Sequence, residues 1–381
     1  MQTQIKHTLV LACLLMAVGL NTTLAATIHV PGDQPTIQAA VNAAANGDTI
    51  HIAAGTYTEQ VVITDKSLTL IGDPGATLKA TAGMAQTLAP FTSRRPVLGL
   101  LRSNVDISGL SFDGDGLGGV NPRFVGVYYF ASSGTASECE FKGFRAAAAQ
   151  VLAVGLIAAN LTVAGGAAVT HVEALNNELA DNETGIVMVG DDFFDPAVLH
   201  QTFVIEGNTI TGLGSGVPIF QVGMLIGVGA SGTVEDNVVT GHLGVGAFGP
   251  SIGILAYDAL VSLGLRPTPV ALQPIKIVHN VVENNLQGIL ALVADQGRLV
   301  NNQINNHPGP AIIVTGQDVG VINNRISNAG VGILLHSAPT IGTATDCKVI
   351  ANRISGVPAV AAIVELPGVT GTKLQANKIE P

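Results

Sequence analysis

Asparagine recurs along this chain at the start of a short phrase, in which a variable residue and then Ile, Val or Leu follow it. The phrase begins at eight positions: Asn177, Asn208, Asn237, Asn280, Asn302, Asn324, Asn352 and Asn377. The shortest spacing is 22 residues, and elsewhere the spacing lengthens to between 25 and 43. A repeat of this length is typical of a solenoid, in which each unit buries its apolar face against its neighbours.

Paired apolar residues mark a strand in each repeat, and stacked copies of that strand predict one sheet of the solenoid. The pairs are Ile186-Val187, Ile254-Leu255, Ile289-Leu290, Ile312-Ile313, Ile333-Leu334 and Ile363-Val364. The Ile or Val of the Asn phrase predicts a second sheet, with the Asn at a corner. Asn suits a corner because it tolerates left-handed backbone angles and because stacked amides hydrogen-bond along a ladder.

Further short strands precede these repeats. They are predicted at Thr27–Val30, Thr49–Ile52, Val61–Ile63, Leu68–Ile71, Val105–Ile107, Leu110–Phe112, Gly126–Phe130 and Glu138–Phe141. Between the first two, Pro35–Ala45 has apolar residues at helical spacing and predicts an amphipathic helix. We expect it to cover the open end of the apolar stack, as solenoid caps do. Residues 27–381 are therefore predicted to form one all-β parallel β-helix domain with an N-terminal capping helix.

Three stretches interrupt the repeat: Ala80–Pro96, Gly190–His200 and Leu243–Pro274. Insertions in a solenoid become loops on one side, and that side often carries the binding surface. The stretches therefore indicate where a ligand is expected to bind.

The N-terminus has the pattern of an export signal. Lys6 precedes an apolar run from Thr8 to Leu20, and small residues at Ala25 and Ala26 follow a polar stretch. A membrane anchor would need roughly 20 apolar residues, and this run is shorter. Residues 1–26 are therefore predicted to be a cleaved signal peptide. We expect the mature protein to be periplasmic or extracellular, without an integral membrane segment.

Composition and charge limit the classes of molecule that this protein can bind. Removing the signal leaves 16 basic against 27 acidic residues, so the absence of a basic footprint argues against nucleic acid. The hydrophobic fraction of 47% is explained by the continuous core of a stacked tube. Cys139 and Cys347 are on the order of 40 Å apart if each coil rises about 4.8 Å, which is too far for a disulfide.

The stretch Thr27–Gly72 carries a family resemblance in four phrases: Thr36–Val41, Gly47–Ile50, Gly55–Glu59 and Leu68–Gly72. They resemble the opening of the pectin-lyase-like right-handed parallel β-helix superfamily. Pectinesterases and periplasmic accessory proteins of nitrous oxide reductase begin in a similar way. The resemblance implies a right-handed parallel β-helix.

A second likeness to pectinesterases covers Val105–Arg145, where Cys139–Arg145 resembles a conserved frame of that family. The pectinesterase catalytic motifs are missing. Val125–Tyr128 stands in place of a Gln phrase, and Arg145-Ala146 replaces Gln-Asp. The frame therefore implies shared coil geometry rather than pectinesterase activity.

Two acidic clusters are the first candidates for chemistry. Asp113 and Asp115 follow a predicted strand, and paired carboxylates there predict a catalytic pair or a Ca²⁺ site; the alternative is a solvated Gly-Asp turn. The insertion at residues 190–195 adds catalytic candidates and a sugar-binding platform with polar contacts; the alternative is a loop whose Phe side chains fold onto the wall. Asp191 and Asp192 are the catalytic candidates, and Phe193, Phe194 and Asp195 are the substrate-binding candidates.

Basic and phenolic side chains near the first cluster complete the candidate site. Lyases of the superfamily commonly use Arg or Lys as the base, which makes Arg123 and Arg145 catalytic candidates and Tyr128 a substrate-binding candidate. The alternative for Arg145 is a structural salt bridge to Glu138 or Glu140.

Two functions remain open at this point. The first is an exported polysaccharide-processing enzyme, of lyase or esterase type, with a groove floored by the coils of Val105–Val189. The second is a non-catalytic periplasmic or cell-surface scaffold or accessory protein. The expected partner is a polysaccharide or glycan, and the oligomeric state is left open.

Overall fold

The computed structural model describes residues 24–88, 93–146, 153–160, 168–190, 201–246, 249–257, 272–292, 294–338 and 341–381. Their strands stack into a right-handed parallel β-helix, as predicted. We name three sheets by their place in each coil. Sheet 1 contains the strands with the apolar pairs. Sheet 2 contains the strands that precede the eight repeated asparagines, here called the ladder asparagines, and sheet 3 contains the strands that follow them.

Sheet 2 has 13 strands, each paired in parallel with the next coil. They span Thr27–Val30, Thr49–Ile52, Ser67–Gly72, Asn104–Ser108, Gly134–Ser137, Thr170–Leu175, Gln201–Glu206, Ala230–Glu235, Ile275–Val278, Arg298–Val300, Gly320–Ile322, Lys348–Ile350 and Lys373–Gln375.

Sheets 1 and 3 are joined because two long strands, Gln303–Val314 and Arg325–Leu335, turn the corner between them. The other strands of sheet 3 are Gly55–Thr58, Ala76–Lys79, Ser111–Asp113, Glu140–Lys142, Glu178–Ala180, Thr209–Thr211, Val238–Thr240, Val281–Glu283, Arg353–Ser355 and Lys378–Glu380. Those of sheet 1 are Val61–Thr64, Arg95–Leu101, Phe124–Phe130, Val154–Ala159, Thr184–Val189, Val222–Ile226, Ile252–Ala256, Gln287–Ala291 and Ile363–Glu365.

A few short elements lie outside the three sheets. They are the strands Val245–Gly246, Gly249–Pro250, Gly316–Gln317, Ser337–Ala338 and Gly342–Thr345 and the one-turn helix Ala359–Ala362. One predicted strand, Glu138–Phe141, is wrong. Glu138 has a left-handed backbone (φ 52°) and turns the chain between sheets 2 and 3, so one strand ends before it and the next begins after it.

The predicted capping helix is present as Ile37–Ala43, shorter at both ends than expected. It buries Ile37 and Val41 against the first coil. Its first turn is held by the Glu59 carboxylate, which accepts hydrogen bonds from the backbone N–H groups of Ile37 (2.9 Å) and Gln38 (3.0 Å). Such N–H groups have no partner within the helix, so Glu59 ties the cap to the first coil.

Seven of the eight ladder asparagines are buried, Asn377 is half-buried, and they hydrogen-bond from coil to coil. Asn280 shows the pattern: its backbone N–H and its side-chain Nδ2 both donate to Asn302 Oδ1, each at 3.0 Å. Asn302 repeats both bonds to Asn324, again at 3.0 Å. The predicted amide ladder is therefore confirmed.

The left-handed backbone lies one residue earlier than the sequence pattern suggests. Asn301 and Asn323, which precede ladder asparagines, have φ values of 59° and 53°. Ala351 occupies the same place with a φ of 57°. The ladder position is therefore Asn because of its hydrogen bonds and not because of its backbone angles.

A column of glycine lies at the start of sheet 1. Six consecutive coils contribute Gly126, Gly155, Gly185, Gly223, Gly253 and Gly288. A methyl group at Gly223 would lie 2.5 Å from the Gly253 carbonyl oxygen and 2.5 Å from Val239 Cγ1. The glycine column therefore allows sheet 1 to pack closely both between neighbouring coils and against sheet 3.

His242 is buried at the corner between sheets 3 and 1, where its Nδ1 lies 2.8 Å from Asn285 Oδ1. Burial lowers the pKa of His242 from 6.5 to about 4. The unfolded chain therefore binds more protons between these pH values, so stability is complete above pH 6.5 and falls as the pH drops toward 4.

We expect His242 to reduce the free energy of unfolding by up to roughly 3 kcal/mol across that window. Chemical unfolding at a series of pH values measures this loss. The variant His242→Asn introduces the residue type that the next coil has at Asn285. It is expected to make the free energy of unfolding less dependent on pH. An unchanged pH profile in the variant would contradict the assignment.

Candidate functional site

The predicted insertions lie on both edges of sheet 1. Residues 80–94 and 241–251 lead into its strands, while residues 190–200 and 257–274 lead away from them. The predicted insertion Leu243–Pro274 is therefore interrupted by the sheet-1 strand Ile252–Ala256. Because the predicted insertions join the chain at both edges of sheet 1, its outer face is the first candidate for a site.

The outer face of sheet 1 is apolar in the coils where we predicted a groove. One outward column runs through Tyr128, Ile157, Val187, Leu225 and Leu255, all at most 8% exposed. These residues form an apolar cluster separate from the interior core. Within the described ranges, this column contains no carboxylate, so it offers no acid–base pair.

Asp113 and Asp115 lie instead at the outer edge of sheet 3. Asp113 sits between Lys79 and Lys142 in strand register, and its Oδ1 accepts a hydrogen bond from the Asp115 backbone N–H at 2.8 Å. Asp115 Oδ2 is 3.1 Å from Lys79 Nζ. Asp113 thus stabilises a turn, and Asp115 forms an ion pair with Lys79. This arrangement matches the alternative interpretation, a Gly-Asp turn.

The described residues contain no group of three or more His, Cys, Asp or Glu side chains placed to hold a metal ion. The Ca²⁺ site at Asp113 and Asp115 stays a prediction. Asp191, Asp192, Phe193, Phe194 and Asp195 lie outside the described residues, so their proposed roles also stay predictions.

Arg145 forms a salt bridge with Asp181 in the next coil, whereas the alternative to its catalytic role named Glu138 or Glu140 as the partner. Its Nε also donates to the Asp181 carbonyl oxygen at 3.4 Å. Glu140 is engaged elsewhere, since it accepts from Ser111 Oγ at 2.8 Å. Arg145 therefore makes a structural salt bridge, and its partner is Asp181.

Arg123 lies at the end of the loop that leads into the sheet-1 strand Phe124–Phe130. Its side chain is exposed, and its Nη1 donates to Ser93 Oγ. Arg95 and Phe124 are register partners, so Arg94 and Arg123 occupy equivalent places in consecutive coils. The fold thus places Arg94 and Arg123 one coil apart on the same edge of sheet 1.

Three other side chains contribute to the electrostatics of Arg94. Burial lowers the pKa of the Arg94 guanidinium; Tyr128 opposes this shift, Arg123 adds to it and Glu183 opposes it. Glu183 is itself buried, and its Oε2 accepts from the backbone N–H groups of Ala146 (3.2 Å) and Ala153 (3.1 Å). We call Arg94, Arg123, Tyr128 and Glu183 the arginine cluster.

Sequence reasoning selected Arg123 and Tyr128 but missed Arg94 and Glu183. The available signal for Arg94 was the Arg-Arg pair directly before the apolar run that begins at Pro96. Glu183 carried no comparable signal, because it follows a corner asparagine and looks like an ordinary solvated turn residue.

A second polar surface lies on the outer face of sheet 3 in the C-terminal coils. It encloses about 380 Å³ and is lined by Glu283, Gln303, Asn305, Arg325, Ser327 and Arg353, among others. We call it the sheet-3 groove. Arg325 stands in register between Gln303 and Arg353, and Arg353 is paired with Glu380 at 2.9 Å.

Comparisons with known proteins agree with this architecture. The family model of the right-handed β-helix region matches residues 271–362. A sequence search of curated proteins finds no match. Among solved structures, a polygalacturonase from Erwinia carotovora ssp. carotovora superposes with a TM-score of 0.52 at 10% identity, covering 94% of this chain and 96% of that one. This protein has the pectin-lyase-like right-handed β-helix fold.

Two further structures resemble this pectin-lyase-like β-helix. A PL6 alginate lyase in complex with a trisaccharide gives a TM-score of 0.51 at 13% identity, covering 93% of this chain and 86% of that one. A variant of the periplasmic alginate epimerase AlgG gives 0.50 at 11% identity, covering 92% and 83%. The predicted fold is confirmed, and at these identities the likeness concerns the fold alone.

No helix in the described part of this pectin-lyase-like β-helix is long and apolar enough to cross a membrane. The predicted signal peptide lies outside the described residues except for residues 24–26.

Proposed function

We propose that this protein is an exported β-helix that binds an acidic polysaccharide, a polymer whose sugar units carry carboxylates, at the arginine cluster. The observation that carries the proposal is the placement of Arg94 and Arg123 on consecutive coils, at the loop-flanked edge of sheet 1. Exposed Arg123 offers the polymer access, while Arg94 lies deeper beside Tyr128 and Glu183.

Guanidinium groups suit this ligand for a geometric reason. Their planar fork of N–H donors matches a carboxylate, and the resulting hydrogen bonds are stronger than those between neutral groups. Successive coils rise about 4.8 Å, so the cluster presents its donors along the axis on which an extended polymer would lie. The names of the three similar structures concern polygalacturonate and alginate, both acidic polysaccharides, which supports the same ligand class.

Aspartate-based catalysis has less support than binding. Asp113 and Asp115 stabilise a turn and the Lys79 ion pair on sheet 3, whereas Tyr128 lies on the outer face of sheet 1. We therefore place the binding function first and assign those carboxylates a structural role.

An elimination reaction at the arginine cluster is the second candidate, because a phenol stands beside two guanidinium groups. The guanidinium groups would hold the uronate carboxylate while Tyr128, as its phenolate, takes the proton α to it. That C–H electron pair would form the C=C bond as the glycosidic C–O bond breaks, and Tyr128 would then give the proton to the leaving oxygen and return to its phenolate.

The test is isothermal titration calorimetry of the mature protein with oligogalacturonate, with oligomeric alginate and with neutral dextran. We expect binding to both acidic polymers and none to dextran. Arg123→Ala is expected to weaken binding about tenfold or more, the loss of one charge-assisted hydrogen bond. The matched control is Arg102→Ala: Arg102 is also exposed and left-handed (φ 48° against 57° for Arg123), but it is paired with Asp65.

Other results would overturn the proposal. Binding that survives Arg123→Ala but is lost in Arg325→Ala would move the site to the sheet-3 groove. Equal binding of dextran and of the acidic polymers would show that the carboxylates of the polymer do not determine binding. Ultraviolet absorbance of an unsaturated product, abolished by Tyr128→Phe, would support the elimination reaction, and its absence would leave binding as the function.

A further inference from the structure

The sheet-3 groove lies on the outer face of four successive coils and shares no residue with the arginine cluster. Two outward columns of polar side chains line it, and within each column the side chains repeat at the coil rise of about 4.8 Å. They are Gln303, Arg325 and Arg353 in the first column and Glu283, Asn305, Ser327 and Ser355 in the second. The groove therefore places long cationic and amide side chains beside shorter hydroxyl, amide and carboxylate side chains.

One positive charge in the sheet-3 groove is left without a partner. The Arg353 guanidinium is paired with Glu380, whose Oε2 lies 3.0 Å from Nε and 2.9 Å from Nη2. Arg325, in the preceding coil, is exposed and forms no salt bridge with any residue that the structure describes. Its planar fork of N–H donors is therefore available to one anionic group of a ligand.

Neutral groups beside Arg325 ask for further ligand atoms. Asn305 Oδ1 accepts hydrogen bonds from Ser327 Oγ (2.7 Å) and from Asn328 Nδ2 (3.2 Å), so both of its lone pairs are used. Asn305 Nδ2 donates to none of the described residues, so its two N–H groups are open to a ligand. Glu283 is the register partner of Asn305, and its carboxylate only accepts. A matching ligand therefore brings acceptors to Asn305 and hydroxyl donors to Glu283.

The charges in the groove also limit the charge of the ligand. Glu283 repels a second negative charge, and the charge of Arg353 is already balanced by Glu380. The ligand that fits best is therefore a monoanion with several hydroxyl groups.

We propose that the sheet-3 groove binds a monosaccharide that carries one carboxylate, a hexuronate. The sugar carboxylate lies on Arg325, and the sugar hydroxyls bind Asn305 and Glu283. The groove volume of about 380 Å³ is near the lower end of the range for small-molecule sites, about 300–1,000 Å³, which suits a single sugar unit. This site is separate from the proposed polymer site, because the two lie on different sheets.

A ligand-observed NMR titration of the mature protein with D-galacturonate and with D-galactose tests the proposal. The two sugars differ only at C6, which is a carboxylate in the first and a hydroxymethyl group in the second. We expect galacturonate to bind with a dissociation constant on the order of 1 mM, and galactose to bind at least about tenfold more weakly. Arg325→Ala is expected to weaken galacturonate binding about tenfold or more. The matched control is Arg298→Ala on sheet 2, where the guanidinium is paired with Asp318, and it is expected to leave binding unchanged.

Asn305→Asp is a second variant that keeps the size and shape of the side chain. Its Oδ1 still accepts from Ser327 and Asn328, so we expect an unchanged circular dichroism spectrum. The open N–H donors are replaced by an anionic oxygen that repels the sugar carboxylate, so galacturonate binding is expected to weaken about tenfold or more.

Several results would overturn the proposal. They are the absence of galacturonate binding, equal affinity for the two sugars, and binding that is unchanged in both Arg325→Ala and Asn305→Asp. Galacturonate binding that is lost in Arg123→Ala but kept in Arg325→Ala would assign the monosaccharide to the arginine cluster and would also overturn it. Because the titration uses a monosaccharide, its outcome does not depend on whether a polymer binds at the arginine cluster.

Discussion

Replacing Asn302 by alanine is expected to lower the free energy of unfolding by about 3 kcal/mol or more. Asn302 is fully buried, and its Oδ1 accepts from both the backbone N–H and the Nδ2 of Asn280. Its own Nδ2 donates to the Ile277 carbonyl oxygen at 2.8 Å. Alanine leaves the Asn280 N–H and the Ile277 carbonyl without these partners, and each orphaned buried group costs about 1–3 kcal/mol.

Urea unfolding followed by circular dichroism measures this loss. The matched control is Gln303→Ala at the next residue, which is exposed on the outer face of sheet 3, and its expected change is within about 0.5 kcal/mol. Similar losses in the two variants would show that the ladder contributes no more than a surface position.

The ladder could be predicted from sequence because its chemistry is repeated at each coil. Eight copies of one phrase identify a column, and the amide is the only group in that phrase that bonds both up and down a stack. The left-handed residue escaped the pattern because its identity varies: Glu138, Asn301 and Ala351 all occupy that place. Once the ladder holds the corner, the residue before it must adopt this backbone whatever its side chain.

The candidate site was predicted only in part, because coil length varies. In a parallel stack, neighbours are one coil apart, so Lys79 meets Asp115 across a separation that no local pattern marks. The same difficulty hid the partner of Arg145, which is Asp181 in the next coil rather than a nearby glutamate. Arg123 was selected because it stands close to the acidic cluster in sequence, yet in the structure it occupies the place equivalent to Arg94 in the next coil of sheet 1.

The glycine column gives the second large effect. Gly223→Ala is expected to reduce the free energy of unfolding by about 3 kcal/mol, at the upper end of the overpacking range. The added methyl group would meet the Gly253 carbonyl oxygen and Val239 Cγ1, both at 2.5 Å. The first contact is with backbone held in the sheet, so relief requires that neighbouring coils move apart. That movement would also disturb His242, whose Cε1 would lie 3.1 Å from the new methyl group.

Thermal unfolding compares this variant with Gly119→Ala. A methyl group at Gly119 would have nothing within 4 Å, and Gly119 has no left-handed backbone, so this change is expected to be neutral or to stabilise slightly. Because both variants add the same methyl group, the difference between them measures the cost of the close contacts at Gly223, with the next coil of sheet 1 and with sheet 3. Equal melting temperatures would mean that the coils can separate at little cost, and the column would then need an explanation other than packing.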